Sequence, residues 1–115
     1  HVVVNRGLDG CLYVYTVEQW QAVYEKLSTL PSTNKDARMY QRMMLSKAAE
    51  CEMDGQGRIL IPSSLVALAG LEKECLIIGV ANHLEIWSKE RWERLEEEQS
   101  ASFEEAAEHL SGLMG

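Results

Sequence analysis

A strand-forming run, a turn, a second run, a helix cap and a tryptophan occur twice in this chain in the same order. That duplication limits the folds open to it. Val2-Val3-Val4, Leu12-Tyr13-Val14-Tyr15, Thr16 and Trp20 parallel Leu76-Ile77-Ile78, Leu84-Glu85-Ile86-Trp87, Ser88 and Trp92. Trp20 and Trp92 stand 72 positions apart, as do Tyr15 and Trp87, and Leu12 and Leu84. The opening strands are offset by 74 because the first turn is two residues longer. A duplicated supersecondary unit implies two halves built on one plan. The alternation of short hairpins with helices makes the fold class α+β.

The remaining elements follow from local chemistry. Gly7-Leu8-Asp9-Gly10 joins the first two strands, since glycine and aspartate tolerate turn backbone angles. Thr16 and Gln19 form a capping box ahead of a helix whose apolar face is Val17, Trp20, Val23, Tyr24 and Leu27. Pro31-Ser32-Thr33-Asn34 breaks the chain, with Asn34 capping a second helix over 35–45 that carries Ala37, Met39, Arg42 and Met43 on a mixed face. Lys47–Asp54 and Arg58–Ile61 are predicted as strands flanking Gly55-Gln56-Gly57, with both glycines free to take positive backbone angles. Ser63 or Ser64 caps a short helix ending at Gly70. Cys75–Val80 and Leu84–Trp87 form the next hairpin, turned at Asn82, and His83 in that turn is expected to be exposed. Ser88 caps a helix bearing Trp92 and Leu95, and a last helix after Ser102 pairs Glu105 as box partner with a stripe of Phe103, Ala106, Ala107 and Leu110. Trp20 and Trp92 are expected as core anchors of their helices. The organisation is thus an incomplete first repeat (1–30), a connecting basic helix (31–46), a second repeat (47–95) and an acidic C-terminal helix (96–115). The second repeat is preceded by a hairpin and a short helix with no counterpart before His1, so the chain looks N-terminally shortened relative to its own symmetry.

Charge narrows the function. The formal balance is −7, but eight acids against three bases lie beyond Ser88, while Thr33–Lys47 carries Lys35, Arg38, Arg42 and Lys47 against Asp36 alone. A uniformly basic surface is excluded, yet a local basic stretch survives. No apolar run is long enough to cross a bilayer and no secretory leader opens the chain, which points to a cytoplasmic protein without a membrane partner. Cys11, Cys51 and Cys75 are odd in number and never in C-x-x-C spacing, so buried free thiols are expected rather than a disulfide frame or zinc knuckle.

The sharpest motif is Asp54-Gly55-Gln56-Gly57-Arg58. A tight turn projects its flank, Asp54 can hold the Arg58 guanidinium, and an arginine so held can reach a phosphate or, bidentately, a guanine edge. The plainer alternative is an ordinary hairpin ion pair. Arg38 and Arg42 share a helix face, with Lys35 three residues earlier, and can follow a phosphate backbone or simply be solvated. Lys47, at the entry to the hairpin, is the better contact candidate. An EF-hand reading of the same turn, with Glu52 and Gln56 as ligands, fails because Ser63 occupies the position of the bidentate glutamate. His1, His83 and His109 are scattered, and no nucleophile elbow, paired-histidine helix, dinucleotide loop or P-loop is present. No catalytic residue, metal, cofactor or small-molecule substrate is therefore assigned.

Several segments together carry a resemblance. Arg6-Gly7-Leu8-Asp9-Gly10-Cys11-Leu12, Asn34-Lys35-Asp36-Ala37-Arg38, Asp54–Pro62, Ala69-Gly70-Leu71-Glu72-Lys73-Glu74, Ile78-Gly79-Val80 and Glu85-Ile86-Trp87 resemble the MraZ family, in order, over about residues 2–95. The resemblance implies tandem swapped-hairpin (AbrB-like) barrel units in a ring-shaped homo-oligomer. It further implies a nucleoid-associated bacterial transcriptional repressor that binds direct repeats of double-stranded DNA upstream of the division and cell-wall gene cluster. Family members carry a D-x-x-x-R motif in each repeat; here only Asp54–Arg58 is present, because the first copy would lie before His1. The candidate DNA-binding residues are accordingly Arg58, Asp54, Gly57, Lys47, Arg42, Arg38 and Lys35. The competing reading is a swapped-hairpin assembly module whose partner is another protein.

Overall fold

The computed structural model describes residues 1–114. Strands β1 (Val2–Arg6) and β2 (Leu12–Thr16) form the first hairpin, and helices α1 (Val17–Ser28) and α2 (Lys35–Lys47) follow. A short strand β3 (Ala49–Cys51) leads through the Asp54–Arg58 turn to α3 (Ser63–Ala69). The second hairpin, β4 (Cys75–Val80) and β5 (His83–Ser88), continues into α4 (Lys89–Gln99). A 3-10 turn over Ser100–Ser102 then runs into α5 (Phe103–Met114).

The strands form one antiparallel sheet in the order β3-β1-β2-β5-β4. Its centre shows how the repeats meet. β2 pairs with β5 so that Leu12 faces Ile86, Tyr13 faces Glu85 and Val14 faces Leu84. Glu85 is the repeat equivalent of Tyr13, and the flanking pairs exchange equivalents, so the two hairpins are related by a pseudo-twofold axis through the Tyr13–Glu85 pair. β3 precedes the second hairpin in sequence yet pairs with β1 of the first: Val2 faces Cys51, Val3 faces Glu50 and Val4 faces Ala49. That exchange is what a swapped-hairpin arrangement requires, and the fold is α+β.

The core lies under β1, β2 and β5, where Val4, Leu12, Val14 and Ile86 pack with Cys51, Leu65 and Ala69. Each repeat anchors its helix with an aromatic pair: Trp20 on Tyr15 at 5.7 Å and Trp92 on Trp87 at 5.5 Å between centroids. The Thr16–Gln19 capping box forms in full, Asn34 accepts from the Ala37 amide, and Ser88 accepts from Arg91. Gly70 closes α3 at φ +63°, a left-handed position that needs no Cβ.

Several expectations are corrected. α2 extends to Lys47, so that residue ends a helix rather than entering a strand. The predicted strand over 47–54 is reduced to Ala49–Cys51, the three residues that find a partner on β1. Residues 58–61 form no strand, because no neighbouring chain segment supplies a ladder, although Ile59 and Ile61 still turn toward the core. Pro62, without a side-chain cap, starts α3 in place of Ser63 or Ser64. Ser102 lies inside the 3-10 turn, whose following Phe103 is already helical, so no extended N-cap separates α4 from α5. On α1 only Leu27 is buried, with Val17 and Tyr24 exposed; on α2 the buried face is Ala37 and Met44, leaving Met39 and Met43 outside. Cys75 is exposed, unlike Cys11 and Cys51. His83 is half-buried at the start of β5, stacked on Tyr13 at 4.2 Å, because the turn is shifted to Ala81–Asn82 with Ala81 at φ +51°.

Candidate functional site

The Asp54–Arg58 turn is organised by one carboxylate. Oδ1 accepts from the Gln56 amide at 2.9 Å and the Arg58 amide at 2.8 Å, and Oδ2 accepts from Arg58 Nε at 2.9 Å. The backbone closes beneath it: the Asp54 amide donates to the Arg58 carbonyl at 2.8 Å, and the Gly57 amide to the Asp54 carbonyl at 3.1 Å. Gly57 sits at φ +78°, where an L side chain is strained, whereas Gly55 needs no positive angle. The hydrogen bonds from the Arg58 and Gln56 amides, then from the Arg58 side chain, hold the Asp54 carboxyl below the usual carboxylate range.

The consequence for Arg58 is geometric. Its Nε is committed to Asp54, while its two Nη nitrogens have no hydrogen-bond partner among the described residues. The side chain is 72% exposed. A guanidinium fixed at Nε and open at its Nη edge presents a planar donor pair, the pattern that fits a phosphate or the O6/N7 edge of guanine. Both Asp54 oxygens already accept hydrogen bonds, which leaves this loop a poor cradle for a cation. Among the described residues no group of three His, Cys, Asp or Glu side chains is placed to hold a metal ion.

The structure brings Asp54, Gly57 and Arg58 together and leaves the other candidates on α2. No hydrogen bond or ion pair among the described residues joins Lys35, Arg38, Arg42 or Lys47 to the turn. Arg38 donates to the Ser32 carbonyl at 2.9 Å, tying the 31–34 loop to the helix start. Lys35 and Arg42 are exposed and Lys47 is half-buried at the helix end, where a cation complements the terminal carbonyls.

One residue away from the turn, Arg91, ties elements of the fold together without belonging to any motif. Arg91 Nη1 donates at 3.1 Å to both the Gly10 and Leu68 carbonyls, joining α4 to the first hairpin turn and to the end of α3. The guanidinium fills the space over Gly70, where a Cβ would stand 2.9 Å from Nη2. The available signal was electrostatic. An arginine in a helix's first turn opposes the macrodipole, so its side chain has reason to be elsewhere.

The comparisons with known proteins bear on the whole chain. The family model of the MraZ protein, described as antitoxin-like, matches in two units, residues 1–43 and 44–113. The chain belongs to the MraZ family. A relative from Caldanaerobacter subterraneus subsp. tengcongensis, named transcriptional regulator MraZ, is 54% identical over 96% of this chain and 78% of its own length. Two relatives of the same name, from Thermoanaerobacter sp. (strain X514) and Thermoanaerobacter pseudethanolicus, are each 52% identical over the same shares. No described helix is long and apolar enough to cross a membrane.

Proposed function

We propose that this chain is a bacterial DNA-binding transcriptional regulator whose Asp54–Arg58 turn contacts the DNA. The observation that carries the reading is the guanidinium fixed at Nε by Asp54 and open at both Nη nitrogens. The names of the MraZ relatives supply the function class. In this mechanism Arg58 reaches a phosphate or guanine edge, Gly57 allows the close turn, and Asp54 keeps the donor pair aimed. Lys35, Arg42 and Lys47 add phosphate attraction from α2, with Arg38 shared between that task and the 31–34 loop. The regulator acts as a cytoplasmic, nucleoid-associated repressor of the division and cell-wall gene cluster. It binds direct repeats as a ring-shaped homo-oligomer, in which each copy offers one weak turn and effective concentration multiplies them.

The test is titration of direct-repeat promoter DNA and a scrambled duplex across a salt series, with the parent chain and Arg58→Ala. The parent is expected to prefer the direct repeats and to lose affinity steeply with salt. Loss of a phosphate contact by Arg58→Ala would lower the salt slope by about 0.9, whereas loss of a guanine contact would cost about 1–3 kcal/mol of discrimination. A folded Arg58→Ala chain with unaltered affinity, slope and preference would remove the turn from the interface.

A further inference from the structure

One side chain of the Asp54–Arg58 turn is not used by the turn itself. Gln56 gives its backbone amide to Asp54 Oδ1 at 2.9 Å, a bond that fixes where the residue sits. Its side chain is exposed and has no hydrogen-bond partner among the described residues. The space on either side is clear. Gly55 and Gly57 carry no side chains, and a Cβ built on either would meet nothing within 4 Å. Both oxygens of Asp54 are already occupied within the turn. Gln56 is thus the one free side chain between Asp54 and Arg58.

We propose that Gln56 reads an adenine in the major groove, beside the position reached by Arg58. The proposal rests on the DNA reading above and adds a base determinant to the same turn. A primary amide sets a donor next to an acceptor in one plane. Among the four bases only adenine presents the complementary pair in the major groove, an N7 acceptor next to an N6 donor. Guanine offers two acceptors at that edge and a phosphate offers acceptors alone, so either would leave the amide oxygen desolvated without a donor. Thymine lacks the donor and cytosine the acceptor. The reach agrees as well. Residues two apart have Cα atoms at most about 7.6 Å from each other, and successive base pairs lie about 3.4 Å apart, so Gln56 and Arg58 stand within about two base-pair steps. One turn then distinguishes a base through Gln56 while Arg58 takes a guanine or a phosphate.

The experiment titrates the parent, Gln56→Ala, Gln56→Glu and Arg58→Ala with the direct-repeat duplex and with duplexes changed one base pair at a time. A further set replaces one adenine at a time by 7-deazaadenine, which lacks the N7 acceptor. The parent is expected to lose affinity between about fivefold and about a hundredfold when one particular A·T pair is changed, and to weaken with 7-deazaadenine at that position. Gln56→Ala should lose that preference and ignore the 7-deaza replacement. Its salt slope should equal the parent's, since a neutral amide releases no counterion. Gln56→Glu, whose carboxylate only accepts, should move the preference at that position toward cytosine, whose N4 donates. The thermal midpoint of Gln56→Ala is expected to match the parent's, because the side chain it removes holds nothing in the fold. Full retention of every base preference in Gln56→Ala, with binding weakened in Arg58→Ala, would overturn the adenine contact and leave the turn on the DNA. A loss in Gln56→Ala that is uniform across all duplexes would make Gln56 a backbone contact and overturn the proposal too. An Arg58→Ala chain that binds as the parent does, or a parent without base preference, would remove the DNA reading of the turn and this proposal with it.

Discussion

Asn5 is fully buried, and its side chain is spent on two backbone groups. Nδ2 donates to the Met44 carbonyl at 2.7 Å, and Oδ1 accepts from the Arg6 amide at 2.8 Å. Met44 lies in the last turn of α2, where carbonyls lack helical partners. Asn5→Ala is therefore expected to cost about 1–3 kcal/mol, because it orphans a buried acceptor, and urea denaturation would measure it. Asp54 makes a pH prediction of the opposite, exposed kind. Its folded pKa is depressed by the Arg58 and Gln56 amides, so its contribution to the turn is complete above the unfolded value of about 4 and is lost only as pH falls through the lower folded value. The Gln56 and Arg58 amide resonances should shift together with a midpoint below that of an ordinary aspartate, and Asp54→Asn should abolish the transition. A midpoint at the ordinary value would mean the three hydrogen bonds are absent in solution. The Asp54–Arg58 pair could be read from spacing alone, because a turn brings residues four apart together. Asn5 could not, because its partner is 39 residues away.

Hairpins with local turns were legible as elements, and the exceptions share one cause. Residues 58–61 have the β-branched residues of a strand and even its alternation, with Ile59 and Ile61 half-buried and Leu60 90% exposed. A ladder also needs a neighbour with free amides and carbonyls, which residue types do not report. The same limit shortened the preceding strand to the three residues opposite β1. α5 was legible by period, but a stripe does not say which surface covers it, and its own chain buries none of it. Arg91 belongs at this scale because it ties elements rather than neighbours. Arg91→Met keeps the aliphatic stem but removes the donors to the Gly10 and Leu68 carbonyls. A destabilisation of about 1.5–3 kcal/mol is expected, since the donor is charged, with hydrogen exchange rising in the 7–10 turn and at the end of α3. Arg91→Lys should recover only part of it, because a lysine point charge cannot reproduce the planar fork. Full stability in Arg91→Met would show that packing alone holds α4 in place.

At the level of the molecule, the duplication makes a claim about cooperativity. Repeats that merely followed each other would be two small domains, each with too little core to be independently robust. Here β2 and β5 are adjacent in one sheet, β3 crosses from the second repeat onto β1, and the core mixes Val4, Leu12 and Val14 of the first repeat with Cys51, Leu65 and Ile86 of the second. Neither half keeps its sheet or its core if the other unfolds. The chain is therefore expected to unfold in one transition despite its two-unit sequence. Its tryptophans allow the measurement, because Trp20 reports the first repeat and Trp87 with Trp92 the second. Two variants suffice: Trp20→Phe leaves the second reporter, and Trp87→Phe with Trp92→Phe leaves the first. Within each variant, tryptophan fluorescence and far-ultraviolet circular dichroism should give one coincident midpoint in urea. If fluorescence of the Trp20 reporter moved at a different denaturant concentration from the circular dichroism of the same variant, the halves would be separable. The pseudo-twofold axis would then relate two domains in contact rather than two halves of one core.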